Sequence, residues 1–231
     1  MKLDKEFTLP AGTEVSIIPV LQGENAIKID ESELPDVLPI LALRNAVLFP
    51  GAIFPITIGR DKSVKLIRDA EKDGFFIGAV PQEDVMVEEP QEEDLYRYGS
   101  VCKIIKTLDM PDGTITAILQ AFKRLEIDSV IAYNPYINAR VHYLPDILRE
   151  DNHSTDIKAI GEAVKDRAVQ ILRSSNMGTR ETIGAVKAID DFRFLVNFVA
   201  TTIDVENFES KMHLLEYDDV KVRGLKLLSV L

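Results

Sequence analysis

The spacing of apolar residues changes character near residue 144, and this change constrains the fold more than any other feature of the chain. Just before it, Ile137, Ala139, Val141 and Tyr143 alternate with Asn138, Arg140 and His142. A period of two puts one set of side chains on a core and the other in solvent, which is the pattern of a half-buried strand. Beyond it, Ile157, Ile160, Val164, Ala168 and Ile171 recur at the spacing of one helix face. A β-rich portion followed in series by an all-helical one predicts an α+β protein.

Within the first portion, Val37 to Leu43 reads as a buried strand and Phe49-Pro50-Gly51 as a turn. Phe54 to Ile58 reads as a second strand, stopped by Gly59. Asp61 is placed to cap a helix over about 62 to 73, with Val64, Ile67 and Ala70 on one face and Gly74 as its stop. Phe75 to Val80 returns as a strand. Val101 to Met110 and Thr114 to Phe122 flank Pro111-Asp112-Gly113, a tight hairpin signal. Several strands around one core, with one helix, predict a small barrel-like β domain over residues 37–143.

Residues 144–156 are polar, contain Pro145 and read as a linker to a helical bundle over 157–231. Thr179 can cap a helix to about Ile189, and Asp190 or Asp191 the next, through Phe194, Phe198 and Ile203. Asp204 begins a fourth and Tyr217-Asp218-Asp219 a last one. Leu225, Leu227, Leu228, Val230 and Leu231 stay apolar to the final residue, without a helix stop, so the last helix is expected to be truncated from a longer chain. Residues 1–36 read as an acidic, loosely held extension, in which Val15 to Leu21 offers a strand that Pro19 confines to an edge.

Charge and composition exclude several roles. A net charge of -11 and a pI of about 4.8 repel phosphate backbones and anionic lipid, so nucleic acid and membrane are not expected partners. No apolar run approaches the roughly 20 residues of a membrane span, and the start, Met1-Lys2-Leu3-Asp4, leads into no secretory signal core. Cys102 is the sole cysteine, which rules out an internal disulfide, and a cytoplasmic setting is expected. The chain holds no phosphate-cradling Gly-x-x-x-x-Gly-Lys-Ser/Thr loop, no His-Glu-x-x-His pair and no Gly-x-Ser-x-Gly elbow. His142, His153 and His213 lack ligand spacing, and Cys102 beside Val101 reads as a core residue. Glu88, Glu89, Glu92, Glu93 and Asp94 read as a solvated loop leading into a short helical turn.

Leu38-Pro39-Ile40-Leu41-Ala42-Leu43-Arg44-Asn45-Ala46-Val47-Leu48-Phe49-Pro50-Gly51 resembles the opening motif of the N-terminal domain of bacterial Lon proteases. Pro55-Ile56, Gly59-Arg60-Asp61-Lys62-Ser63, Asp94 to Val101 and Leu108 to Thr114 extend the resemblance in order. The helical half is similar more diffusely, through Leu195 to Ala200 and Leu214 to Leu231. Gly224 departs from the family's apolar helix former, and is expected to loosen the last helix.

The resemblance implies a PUA-like β-barrel with one or two helices, followed by a helical bundle. It implies a non-catalytic region that recognises unfolded or degron-bearing proteins and aids assembly of a homohexameric quality-control ring. ATP, Mg and the Ser–Lys protease chemistry belong to the parent's AAA+ and protease domains; no position here matches those motifs, so no catalytic, cofactor or metal residue is assigned. Substrate contact needs accessible apolar groups near strand ends or loops, and Phe54, Met86, Met110, Tyr133, Tyr136 and Met177 are the candidates. Leu41, Leu43 and Leu48 are expected to fill a core, and Pro50 and Gly51 to fix a turn. Two alternatives stay open: a stand-alone PUA-like peptide- or RNA-binding protein, and a purely oligomerising module.

Overall fold

The chain, a computed structural model, is described for residues 29–149, 154–174, 179–203, 205 and 207–231. The Val15–Leu21 strand expected from sequence, with His153, Met177 and Asp204, lies outside the described residues. The α+β class is as expected: strands β1 (Val37–Leu43), β2 (Ile53–Ile58), β3 (Ile77–Pro81), β4 (Tyr98–Asp109), β5 (Ile115–Ala132) and β6 (Asn138–Leu144) come first. Helix α1 (Asp61–Asp73) joins β2 to β3. Helices α2 (Ser154–Ser174), α3 (Arg180–Ala188), α4 (Phe192–Thr202), α5 (Phe208–His213) and α6 (Val220–Val230) follow.

The sheet runs β2-β5-β4-β3-β1-β6, and β5 also pairs with β6, closing five of its strands into a small barrel. β5 makes this possible by its length. Its first part, Ile115 to Gln120, pairs with β2, and its second, Arg124 to Ala132, with β6. The hairpin expected at Pro111-Asp112-Gly113 joins β4 to β5, and Met110 N–H donates to the Thr114 carbonyl at 2.9 Å. Asp112 reinforces it by accepting from Thr114 N–H at 2.9 Å. β1 and β3 are parallel and buried on both faces, which is why their sequences are nearly continuous apolar runs. Leu41, Leu43, Ile77 and Ala79 face α1 and the first part of β5, joined there by Leu48 and Cys102. Leu38, Ile40, Phe76 and Val80 face β6 and the second part of β5.

Helix α1 starts one residue earlier than its sequence suggests. Arg60, not Asp61, is the N-cap residue, with no side-chain cap bond, and Gly74 ends the helix at φ 71°. Elsewhere the expected caps are in place: Thr179 accepts from Thr182 N–H, Asp191 from Phe194 N–H and Asp219 from Lys221 and Val222 N–H. The fourth helix in this half is capped by Asn207.

The opening motif does more than fill the barrel core. Leu41, Leu43 and Leu48 do so as expected, but Val47 and Phe49 insert into the core of the helices, among residues such as Val196, Val199 and Leu215. Phe49 N–H donates to Thr201 Oγ1 at 3.1 Å, and the Pro50 carbonyl accepts from Asn197 Nδ2 at 3.2 Å. Asn45 sits at φ 53°, a conformation that asparagine tolerates better than most side chains, and lets β1 turn into this segment.

Asp146 stands just after β6, in the stretch that its polarity marks as a linker, and its side chain is the hub of the junction. Arg124 of β5 donates from Nε to Asp146 Oδ1 at 2.8 Å, and Arg223 of α6 from Nη2 to the same atom at 2.7 Å. Asn197 of α4 donates to Oδ2 at 3.2 Å. Arg124 also reaches Asp218 at 2.6 Å, and Arg223 reaches Asn197 Oδ1 at 2.7 Å. Both arginine side chains are wholly buried. Burial alone would raise the Asp146 pKa, but the hydrogen bonds and charge of Arg223, then of Arg124, outweigh it and hold the carboxyl at about 2. The adjacent Ile147 bonds to the Asp218 carbonyl at 2.8 Å and to Val220 N–H at 2.9 Å, so the chain just after the hub is pinned to the start of α6.

Gly224 has a packing role that its helix propensity does not announce: it lets α6 approach its neighbours. A Cβ there would lie 2.9 Å from Phe192 Cζ, 3.2 Å from Val196 Cγ2 and 3.4 Å from Ile160 Cγ2. The cost of glycine in a helix, about 1 kcal/mol, is set against close packing onto α2 and α4.

Candidate functional site

A cleft of about 510 Å³ opens where the barrel leaves two strand edges unpaired with each other. One wall is β1 from Ile40 to Leu43: its register with β6 ends at Pro39, and the Ile40 N–H donates to the Ile137 carbonyl at 2.8 Å, so the edge is open only beyond Ile40. The opposite wall is β2 from Ile56 to Ile58, which pairs on its other side with β5. The start of α1, the loop 88–91 and the turn 133–137 complete the lining. That turn contains a cis Asn134–Pro135 peptide and presents Tyr133 and Tyr136 to the cleft.

Arg60 crosses the seam. Its Nη2 donates to the Ala42 carbonyl at 2.6 Å, and its Nη1 to Gln82 Oε1 at 2.9 Å and to the Glu88 carbonyl at 3.4 Å. All three acceptors are neutral, and none of the ion pairs among the described residues includes Arg60. Desolvation, then the nearby positive charge of Arg44, lowers its pKa against a smaller opposing effect of Glu88. The two cations beside it are matched. Arg44 pairs with Glu88 at 3.0 Å, and Lys62 with Glu89 at 3.1 Å. These pairs, with Arg44 donating to the Val87 carbonyl at 3.1 Å, fasten the acidic loop to the barrel. The loop then enters a single 3-10 turn at Glu92–Asp94, as its sequence suggests.

Of the side chains proposed from sequence, Tyr133 and Tyr136 come together in this cleft. Phe54 is half-buried and packs on the barrel core opposite Leu119. Met86 is 81% exposed on the acidic loop and Met110 is 41% exposed at the β4–β5 hairpin; neither lines the cleft. Met177 lies outside the described residues. Sequence reasoning missed Arg60, Arg44 and Gln82. The sequence carried no local signal for them, because Asp61 looks like the cap and Arg60 becomes the capping residue only in the structure. Among the described residues no cluster of His, Cys, Asp and Glu is arranged to hold a metal ion. Cys102 is wholly buried, which pushes its thiol pKa upward and away from reactivity.

Two solved structures that share this architecture are N-terminal domains of Lon proteases. The domain from the Mycobacterium avium complex superposes with a TM-score of 0.64 at 21% identity, over 84% of this chain and 96% of that one. The Lon N-terminal domain protein from Xanthomonas campestris gives 0.58 at 16% identity, over 84% of this chain and 97% of that one. Sequence relatives agree: the chain is 40% identical over 216 residues to Lon protease from Flavobacterium johnsoniae, across 94% of this chain and 26% of the relative. It is 38% identical to Lon protease from Porphyromonas gingivalis, across 93% of this chain and 25% of the relative. The family model for the ATP-dependent protease La (LON) substrate-binding domain matches residues 37–231. The chain belongs to that family of Lon substrate-binding domains, and spans about a quarter of the length of the relatives it matches.

Proposed function

We propose that this chain is the non-catalytic recognition region of an ATP-dependent Lon protease, and that it captures unfolded or degron-bearing proteins for degradation. The family match over residues 37–231 carries this reading. The aromatic-lined cleft between strand edges supports it, because extended polypeptide is recognised through strand edges and apolar pockets. In this reading ATP, Mg and the Ser–Lys nucleophile act elsewhere in the parent protein. The chain works in the cytoplasm as part of a homohexameric ring, to which its helical half contributes contacts. No helix among the described residues is long and apolar enough to cross a membrane.

The test is binding of reduced, carboxymethylated α-lactalbumin, a soluble unfolded protein, to the purified 231-residue chain. Saturable binding of the unfolded form and none of the native form is expected; binding of neither rules out recognition by this chain. Peptide hydrolysis by the isolated chain, with or without ATP and Mg, would contradict its non-catalytic role.

A further inference from the structure

We propose that the cleft between β1 and β2 takes an extended polypeptide segment carrying an internal acidic side chain, which adds as a strand between the two edges and places its carboxylate on Arg60. This rests on the recognition role above and names the site and the ligand chemistry.

Three observations converge on it. The first is backbone geometry. β1 beyond Ile40, whose own N–H is taken by the Ile137 carbonyl, and β2 from Ile56 to Ile58 both line one cleft without pairing to each other. Strand edges present rows of backbone donors and acceptors, and an extended chain is the ligand that satisfies them. At about 3.3 Å per residue, the open part of the β1 edge accommodates roughly three residues of a guest strand, and 510 Å³ falls within the range of ligand sites.

The second observation is that Arg60 already occupies the place of a strand partner. Its Nη2 donates to the Ala42 carbonyl at 2.6 Å, where the N–H of a paired strand would donate. An arriving segment supplies that N–H from its own backbone and releases the guanidinium.

The third is charge. Arg44 and Lys62 each have a carboxylate partner, Glu88 and Glu89, whereas half-buried Arg60 has three neutral oxygens. The wholly buried arginines of this chain, Arg124 and Arg223, are both paired with Asp146. Exchanging a neutral acceptor for a carboxylate gives Arg60 the stronger, charge-assisted hydrogen bond. Tyr133, Tyr136 and Ile56 supply apolar lining for the residues flanking the acid.

The experiment uses the 231-residue chain and two fluorescein-labelled decapeptides of apolar, strand-favouring sequence, blocked at both ends. One carries a central aspartate, the other asparagine. Anisotropy is expected to give about tenfold tighter binding of the aspartate peptide, the scale of one charge-assisted bond. Arg60→Gln is expected to abolish that preference, and Arg60→Lys to retain part of it. Hydrogen exchange of the unmodified chain, which needs no variant to fold, is expected to slow within residues 41–43 and 56–58 when the peptide binds.

Equal affinity for the two peptides, or protection mapping away from the seam, would each overturn the proposal. Carboxymethylated α-lactalbumin, measured in parallel, separates the two levels. If it binds while the peptides do not, the cleft assignment fails and recognition stands; if it does not bind either, both fail.

Discussion

The junction buries two arginines and the cleft half-buries a third, and they treat the charge differently. At the junction, Arg124 and Arg223 share Asp146, and Asn197, Asp218 and backbone carbonyls take the remaining donors. In the cleft, Arg60 is satisfied in hydrogen bonds but not in charge. A closed network of this kind ties elements together and leaves nothing for a ligand to complete. An open one, with the cation bonded only to neutral groups beside strand edges, has its best partner still to come. The same residue type serves the fold in one place and is suited to binding in the other.

Removing Asp146 breaks the comparison most directly. Asp146→Ala leaves Arg223 buried without a carboxylate and Arg124 with Asp218 alone, so a loss of about 4 kcal/mol is expected in urea unfolding. Arg60→Gln, which uncovers no buried charge, should cost less than about 1.5 kcal/mol in the same assay. Similar losses for the two variants would erase the distinction between closed and open sites.

Phe49 tests whether packing holds the junction alongside charge. It is wholly buried in the helical core, and Phe49→Ala should cost about 3 kcal/mol. Partial unfolding of the helices, monitored by hydrogen exchange, should precede loss of the barrel in this variant.

Acid provides a third measure. The Asp146 carboxyl is held at about 2 when folded, below its ordinary 3.8, so the stability it contributes is present above the ordinary value and is lost as pH falls toward 2. The loss expected from this group is about 2 kcal/mol, and Asp146→Asn should remove that part of the pH dependence.

The smallest effect belongs to His213. Its Nδ1 lies 2.6 Å from Glu216 and 3.0 Å from the Tyr96 hydroxyl, where a strand-side residue meets the helices. The hydrogen bond to Glu216 raises its pKa above 6.5 despite some desolvation. A raised folded value stabilises at low pH, and that contribution is lost as pH rises through it. The side chain is half exposed, so the effect should stay under about 1 kcal/mol. A melting series from pH 6 to 8 should be flatter in His213→Ala.

Much of the fold was legible because periodicity and punctuation are local. The strand edges at Val37 and Leu43, the Asp112-Gly113 hairpin and the caps at Thr179, Asp191 and Asp219 follow from residues within a turn of each other. β5 was misjudged: Thr114 to Phe122 looked like a complete strand, whereas β5 continues to Ala132 because β6 supplies a second partner for its far half. Arg124 lies in that unread half, and nothing near it in sequence announces that it is buried. Two cleft tyrosines were legible as aromatics beside a turn, but Arg60 was not, because its neighbours at Ala42, Gln82 and Glu88 come from three separate segments.

The sequence by itself determined most of the strands and helices, the order of the two halves and the family likeness carried by Leu38 to Gly51. These rest on spacing and turn chemistry, which act over a few residues. Only the tertiary structure decided that Asp146 is a hub, that Phe49 belongs to the helical core and that Gly224 is a contact point between helices. It also decided that one arginine faces an open seam while two others are sealed around a carboxylate. Burial and charge pairing depend on what distant segments bring to a point in space, and that information appears only when the chain has closed on itself.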